Sequence, residues 1–123
     1  PKARLVIVGE GPDRQFLERF AAELGLANLI HFAGYQSPTR PYFEAMDVLV
    51  QASPREALPT TLVEAMFASK PVVATAVGGT PPVVEDGVTG ILIEPGQPET
   101  IASRVKELMR DPGRRDARHG ARR

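Results

Sequence analysis

Five short apolar runs recur along this chain: "RLVIVG" (4–9), "NLIHFAG" (28–34), "DVLVQAS" (47–53), "KPVVATA" (70–76) and "TGILIEPG" (89–96). Each is rich in branched or aromatic residues and lacks the polar alternation of a half-exposed strand. That pattern suits strands of a parallel sheet, which are covered on both faces. The stretches between them carry helical spacing. In "PDRQFLERFAAELGL" (12–26), Phe16, Leu17, Phe20, Ala21 and Leu24 form an apolar stripe, and Gly25 is a suitable stop. "PYFEAM" (41–46) and residues 59–68 read as helices, and "TPPVVEDG" (80–87) as a turn, with room for a short helix. "QPETIASRVKELMRD" (97–111) places Ile101, Val105, Leu108 and Met109 on one helical face. Strand and helix alternate throughout. The expected fold is therefore α/β: a Rossmann-like open parallel sheet of about five strands with helices on both faces.

Composition narrows the function classes. The chain is 123 residues long, 42% hydrophobic and 24% charged, which is enough apolar material for one core. Its formal net charge is zero, so bulk attraction to nucleic acid is not expected. It has no cysteine, which excludes disulfides and thiolate metal sites. No apolar run is long enough to cross a bilayer as a helix. The chain opens at Pro1 directly into a strand pattern, and "GRRDARHGARR" has no closing feature. It is therefore expected to be a piece of a longer protein, with one domain over 1–110 and a basic, frayed or truncated tail over 111–123. Contact of that tail with a membrane is the weaker reading.

In an open parallel sheet, ligands bind outside the carboxyl ends of the strands. The loops at those ends read "GEGPD", "GYQSP", "SPREALP" and "VGGTPP". The first lacks the third glycine of a dinucleotide fingerprint, because Arg14 stands there. Gly9 and Gly11 alone suggest a tight turn. Tyr35 is suited either to cover a nucleobase or, more commonly, to pack under its own loop. His31 has no visible partner and reads as structural. No cluster has metal-ligand spacing, and no nucleophile elbow is present.

The stretch "REALPTTLVEAM" (55–66) carries more. Pro59 fits the first turn of a helix, where its missing N–H is not needed. The N–H groups of Thr60, Thr61 and Leu62 would then form an anion site suited to phosphate. Two glutamates flank them. "TLVE" fits a capping box in which Thr61 caps and Glu64 reaches back, stabilising the helix by about 1 kcal/mol. Glu56 suits a surface carboxylate attracted to the helix N-terminus. Alternatively both accept hydrogen bonds from ligand hydroxyls, at about 1.5–3 kcal/mol per bond. On spacing alone the two readings stand level.

The same segments resemble a known family. "LVIVGEGPD", "HFAGY", "DVLVQASPREALPTTLVEAM", "KPVVATAVGGTPPVVEDGVTGILIEPG" and "PETIASRV" stand in the order and spacing of the retaining glycosyltransferases related to glycogen and sucrose synthases, family 4 or group 1. The likeness is to their C-terminal, donor-binding domain, one half of the two-domain GT-B fold, and it runs to about "VKELMRD". The family signature of two glutamates separated by seven residues matches Glu56 and Glu64. The resemblance implies that Glu56 faces the transferred sugar as the catalytic-site carboxylate. It implies that Ala57, Leu58, Pro59, Thr60 and Thr61 hold the sugar and diphosphate, largely by backbone, and that Glu64 binds the ribose. Gly9 and Gly11 would line the nucleotide side of the cleft, and Tyr35 and Gln36 would meet the base. The implied donor is a UDP-, GDP- or ADP-sugar, with no metal and no other cofactor. The departing phosphate would help deprotonate the acceptor. That acceptor, and the basic residues that neutralise the diphosphate, would be held by parts of the protein upstream of Pro1. The fragment alone is expected to be inactive. The expected location is the cytoplasm, free or against the inner face of a membrane.

Three positions depart from the family pattern: Ala57 for a frequent glycine, Ser69 for the usual helix-stop glycine, and Pro82 for a frequent glutamate. A sugar-nucleotide epimerase of the same architecture is the nearest alternative, followed by a non-catalytic nucleotide-binding module. A signalling receiver domain would need an aspartate ending the third strand, where this chain has "LVQAS". Base, sugar, acceptor and oligomeric state are not encoded in these patterns.

Overall fold

The computed structural model describes residues 3–110. The basic tail anticipated over 111–123 lies outside the described residues. The chain divides between Thr39 and Arg40 into two compact units.

The first unit contains β1 (Leu5–Val8), α1 (Arg14–Glu23), a short 3-10 turn (Ala27–Leu29) and β2 (Ile30–Gly34). β1 and β2 pair in parallel, with Leu5 opposite Ile30 and Ile7 opposite Phe32. Two expectations fail here. β1 was expected to be covered on both faces, yet Leu5, Val6 and Val8 are 40–48% exposed. The α1 stripe was expected in a core, yet only Ala21 is buried, while Phe16 and Phe20 are exposed and stack on each other at 6.0 Å. The physical reason is the size of the layer. A two-stranded ladder with one helix has too little area to cover both faces of a strand.

The second unit contains α2 (Arg40–Ala45), β3 (Leu49–Gln51), α3 (Thr60–Phe67), β4 (Val72–Thr75), β5 (Ile91–Ile93) and α4 (Pro98–Arg110). Its three strands are parallel in the order β3-β4-β5. The five strands thus appear as anticipated, in two ladders. β4 is central, and every residue in it is buried. Alternation along β4 builds two cores. Val72 and Ala74 pack with Phe43 of α2 and Leu62, Ala65 and Met66 of α3. Val73 packs on the opposite face with Ile91, Ile93 and Leu108 of α4. The expected helices on both faces are therefore present in this unit. Residues 80–87 form the turn anticipated without the short helix, as Pro81 and Pro82 withhold two backbone donors.

Candidate functional site

In the second unit the site elements follow from strand ends. Gln51 closes β3 opposite Ala74, so it lies on the α3 face of the sheet, beyond Leu49. A polar side chain ending an apolar face needs a partner. It finds Glu56: the Gln51 amide donates to Glu56 Oε2 at 3.1 Å. The loop between them is tied down twice more. Thr75, at the end of β4, donates its hydroxyl to the Ser53 carbonyl at 2.5 Å. Gly79 donates its N–H to the Glu56 carbonyl at 2.8 Å.

Gly78 and Gly79 are required by that approach. Gly78 has φ +51°, and a Cβ there would overlap the Glu56 carbonyl oxygen. A Cβ on Gly79 would overlap the Ala57 carbonyl oxygen. The "VGGT" loop is thus packed backbone to backbone against the segment carrying Glu56. Thr80, next in sequence, is fully buried, and its hydroxyl has no partner among the described residues.

The helix after this loop begins at Thr60, with Pro59 as its N-cap residue (φ −80°, ψ 64°) and no side-chain cap. The capping box is not formed. Thr61 is already inside the helix, two positions past the cap residue Pro59, and Glu64 lies exposed in the second turn. Among the described residues the Glu64 carboxylate has no hydrogen-bond or ion-pair partner. The N–H groups divide. That of Thr60 donates back to the Leu58 carbonyl at 2.8 Å, so it is not open as expected. Those of Thr61 and Leu62 have no partner among the described residues. The helix carrying them is anchored by Leu62, Ala65 and Met66, all at most 3% exposed. Glu56 is partly buried, whereas Ala57 and Leu58 are exposed. This stretch therefore offers an oriented carboxylate, an exposed and unpaired N–H on Thr61, a buried unpaired N–H on Leu62, and a free carboxylate further along the helix.

In the first unit, Gly9 donates its N–H to the Gly34 carbonyl at 2.8 Å, which seats the turn after β1 against the turn after β2. Gly11 is exposed with open space around it. Tyr35 is 76% exposed, so it does not pack under its loop. The Gln36 amide is committed within its own turn, donating to the Ala33 carbonyl at 2.7 Å. Arg14, at the position of the missing third glycine, donates to Glu18 at 2.8 Å, to Glu10, and to the Phe32 carbonyl at 3.3 Å. The hydrogen bond to Glu18 and the charge of Glu10 hold its guanidinium above its ordinary value.

Sequence reasoning did not single out Gln51 or Thr75. The signal for Gln51 was present, since it is the one polar residue inside "DVLVQA" after Asp47. Among the described residues no group of three or more His, Asp or Glu side chains could hold a metal ion. None of the described helices is long and apolar enough to cross a membrane.

Comparison with known proteins gives consistent matches. Residues 1–122 match the family described as glycosyl transferases group 1. The lipopolysaccharide core biosynthesis glycosyltransferase LpsE of Rhizobium meliloti is 32% identical over 111 residues, covering 90% of this chain and 33% of that protein. The chain thus spans about a third of the length of this curated relative. Among solved structures, Anabaena HepE in complex with UDP-glucose superposes with a TM-score of 0.92 at 28% identity, covering 99% of this chain and 35% of that one. The C-terminal domain of a group 1 glycosyl transferase from Francisella tularensis superposes with a TM-score of 0.86 at 28% identity, covering 98% and 65% respectively.

Proposed function

The chain belongs to the group 1 glycosyl transferases, and from that membership we propose that it is the donor-binding half of a retaining, family 4 enzyme of the GT-B type. The observation that carries this reading is the segment from Glu56 to Glu64. It joins a held carboxylate to a helix N-terminus whose Thr61 N–H is exposed and unpaired. The likeness to a structure holding UDP-glucose supports a nucleotide sugar as ligand. The likeness to a separately solved C-terminal domain supports its place in a two-domain protein.

The chemistry follows from charge. As the bond from the sugar's anomeric carbon to the diphosphate oxygen breaks, negative charge grows on the leaving phosphate and positive charge on the sugar ring. The Thr61 N–H, at the positive end of the helix dipole, stabilises the phosphate without reorganising. Glu56 accepts hydrogen bonds from sugar hydroxyls and faces the positive charge. The acceptor oxygen bonds to the anomeric carbon on the face the phosphate leaves, and its proton passes to that phosphate, so configuration is retained. Glu64 accepts from the ribose hydroxyls. Gly9 and Gly11 border the nucleotide, and Tyr35 and Gln36 meet the base, Gln36 through its backbone. No metal or other cofactor takes part in this scheme. Basic residues for the diphosphate, and the acceptor site, belong to the rest of the protein, and the isolated fragment does not turn over.

The test is a melting-temperature screen of the full-length protein against UDP-, GDP- and ADP-sugars. One class is expected to raise the midpoint through preferential binding to the folded state. No rise with any of them at millimolar concentration contradicts the reading.

A further inference from the structure

We propose that Gln51 is a positioning residue for the reaction, holding the Glu56 carboxylate in the orientation that meets the donor sugar. The inference rests on the donor-sugar reading of Glu56 given above. Gln51 ends β3 on the apolar face shared by Leu49, Val72 and Ala74, and its amide nitrogen lies 3.1 Å from Glu56 Oε2. Among the described residues this is the sole side-chain hydrogen bond or ion pair to the Glu56 carboxylate. The backbone on both sides is already fixed, by Gly79 on the Glu56 carbonyl and Thr75 on the Ser53 carbonyl. What remains free is the rotation of the Glu56 side chain, and the Gln51 amide removes it by engaging one oxygen. The other oxygen is left to accept from sugar hydroxyls.

The choice of an amide is chemically specific. An arginine or lysine in its place would also orient the carboxylate, but would offset the charge that faces the developing positive sugar. A neutral donor orients the group and leaves its charge in place. A methionine at position 51 keeps the side-chain length and loses the donor. A glutamate keeps the shape and sets like charges together.

The experiment is calorimetric titration of the full-length protein with UDP-glucose and with UDP. Gln51→Met is expected to weaken UDP-glucose by about tenfold while changing UDP by less than about twofold. Gln51→Glu should weaken UDP-glucose further, again sparing UDP. Combining Gln51→Met with Glu56→Gln should be no worse than Glu56→Gln alone, because both act through one carboxylate. Equal losses for UDP-glucose and UDP in Gln51→Met would assign the residue a purely structural role and overturn the inference. If Glu56→Gln weakens UDP-glucose selectively and Gln51→Met does not, the inference fails while the reading of Glu56 stands. If Glu56→Gln spares both ligands, that reading fails and takes the inference with it.

Discussion

Ser69 shows how a single residue departs from what its position asks. It follows α3 with φ +59°, the one non-glycine residue with a left-handed backbone among those described. Its N–H reaches the Met66 carbonyl and that of Lys70 reaches the Ala65 carbonyl, a Schellman ending whose left-handed position favours glycine. The backbone strain of a side chain there is about 1–2 kcal/mol. Ser69→Gly is therefore expected to stabilise the protein by about 1 kcal/mol in chemical denaturation. Thr80 is a second such case, since its buried hydroxyl lacks a partner among the described residues. Thr80→Val keeps the shape and removes the stranded group, and a gain of about 1 kcal/mol is expected in the same assay. Gly78 is the opposite case. Gly78→Ala adds a Cβ against the Glu56 carbonyl at a positive φ, and a loss of about 2–3 kcal/mol is expected. The glycines of "VGGT" were visible in the sequence as turn formers. That they admit the backbone of Glu56 was not, because the approach comes from a loop some twenty residues earlier.

At the scale of the element, α3 was legible in outline and misread at its start. Its apolar face and its glutamates are local patterns, and Leu62, Ala65 and Met66 are buried as a helical face should be. The capping box also fits the local pattern, but the helix begins at Thr60, and Thr61 sits inside it. The loop that enters α3 is fixed by hydrogen bonds from Gln51, Thr75 and Gly79 rather than by a side-chain cap. Thr75 and Gly79 are distant in sequence and Gln51 lies upstream of the helix, so spacing within "TTLVE" holds no trace of them. Leu62 anchors the helix, as its side chain is fully buried against Val72 and Ala74 of the same core. Leu62→Ala should destabilise the second unit by about 2–5 kcal/mol, read from a denaturant midpoint.

At the scale of the whole chain, alternation of short apolar runs with helical stretches was sufficient for the class of fold. All five strands and both helical faces of the β3-β4-β5 ladder follow it. What alternation does not hold is pairing. The same continuous apolar pattern gives a fully buried β4 and a half-exposed β1, because burial depends on how many neighbours a strand gains. The candidate site was legible through one signature, two glutamates about a helix start, and its spacing admitted a structural reading as easily as a functional one. The structure removes the structural reading of Glu64, whose carboxylate caps nothing. The central claim is that this carboxylate holds the nucleotide's ribose. It is tested most directly by titrating full-length parent and Glu64→Gln proteins with UDP, with melting temperatures measured alongside. The account predicts affinity reduced about tenfold at an unchanged melting temperature. Unchanged affinity with a lowered melting temperature would contradict it.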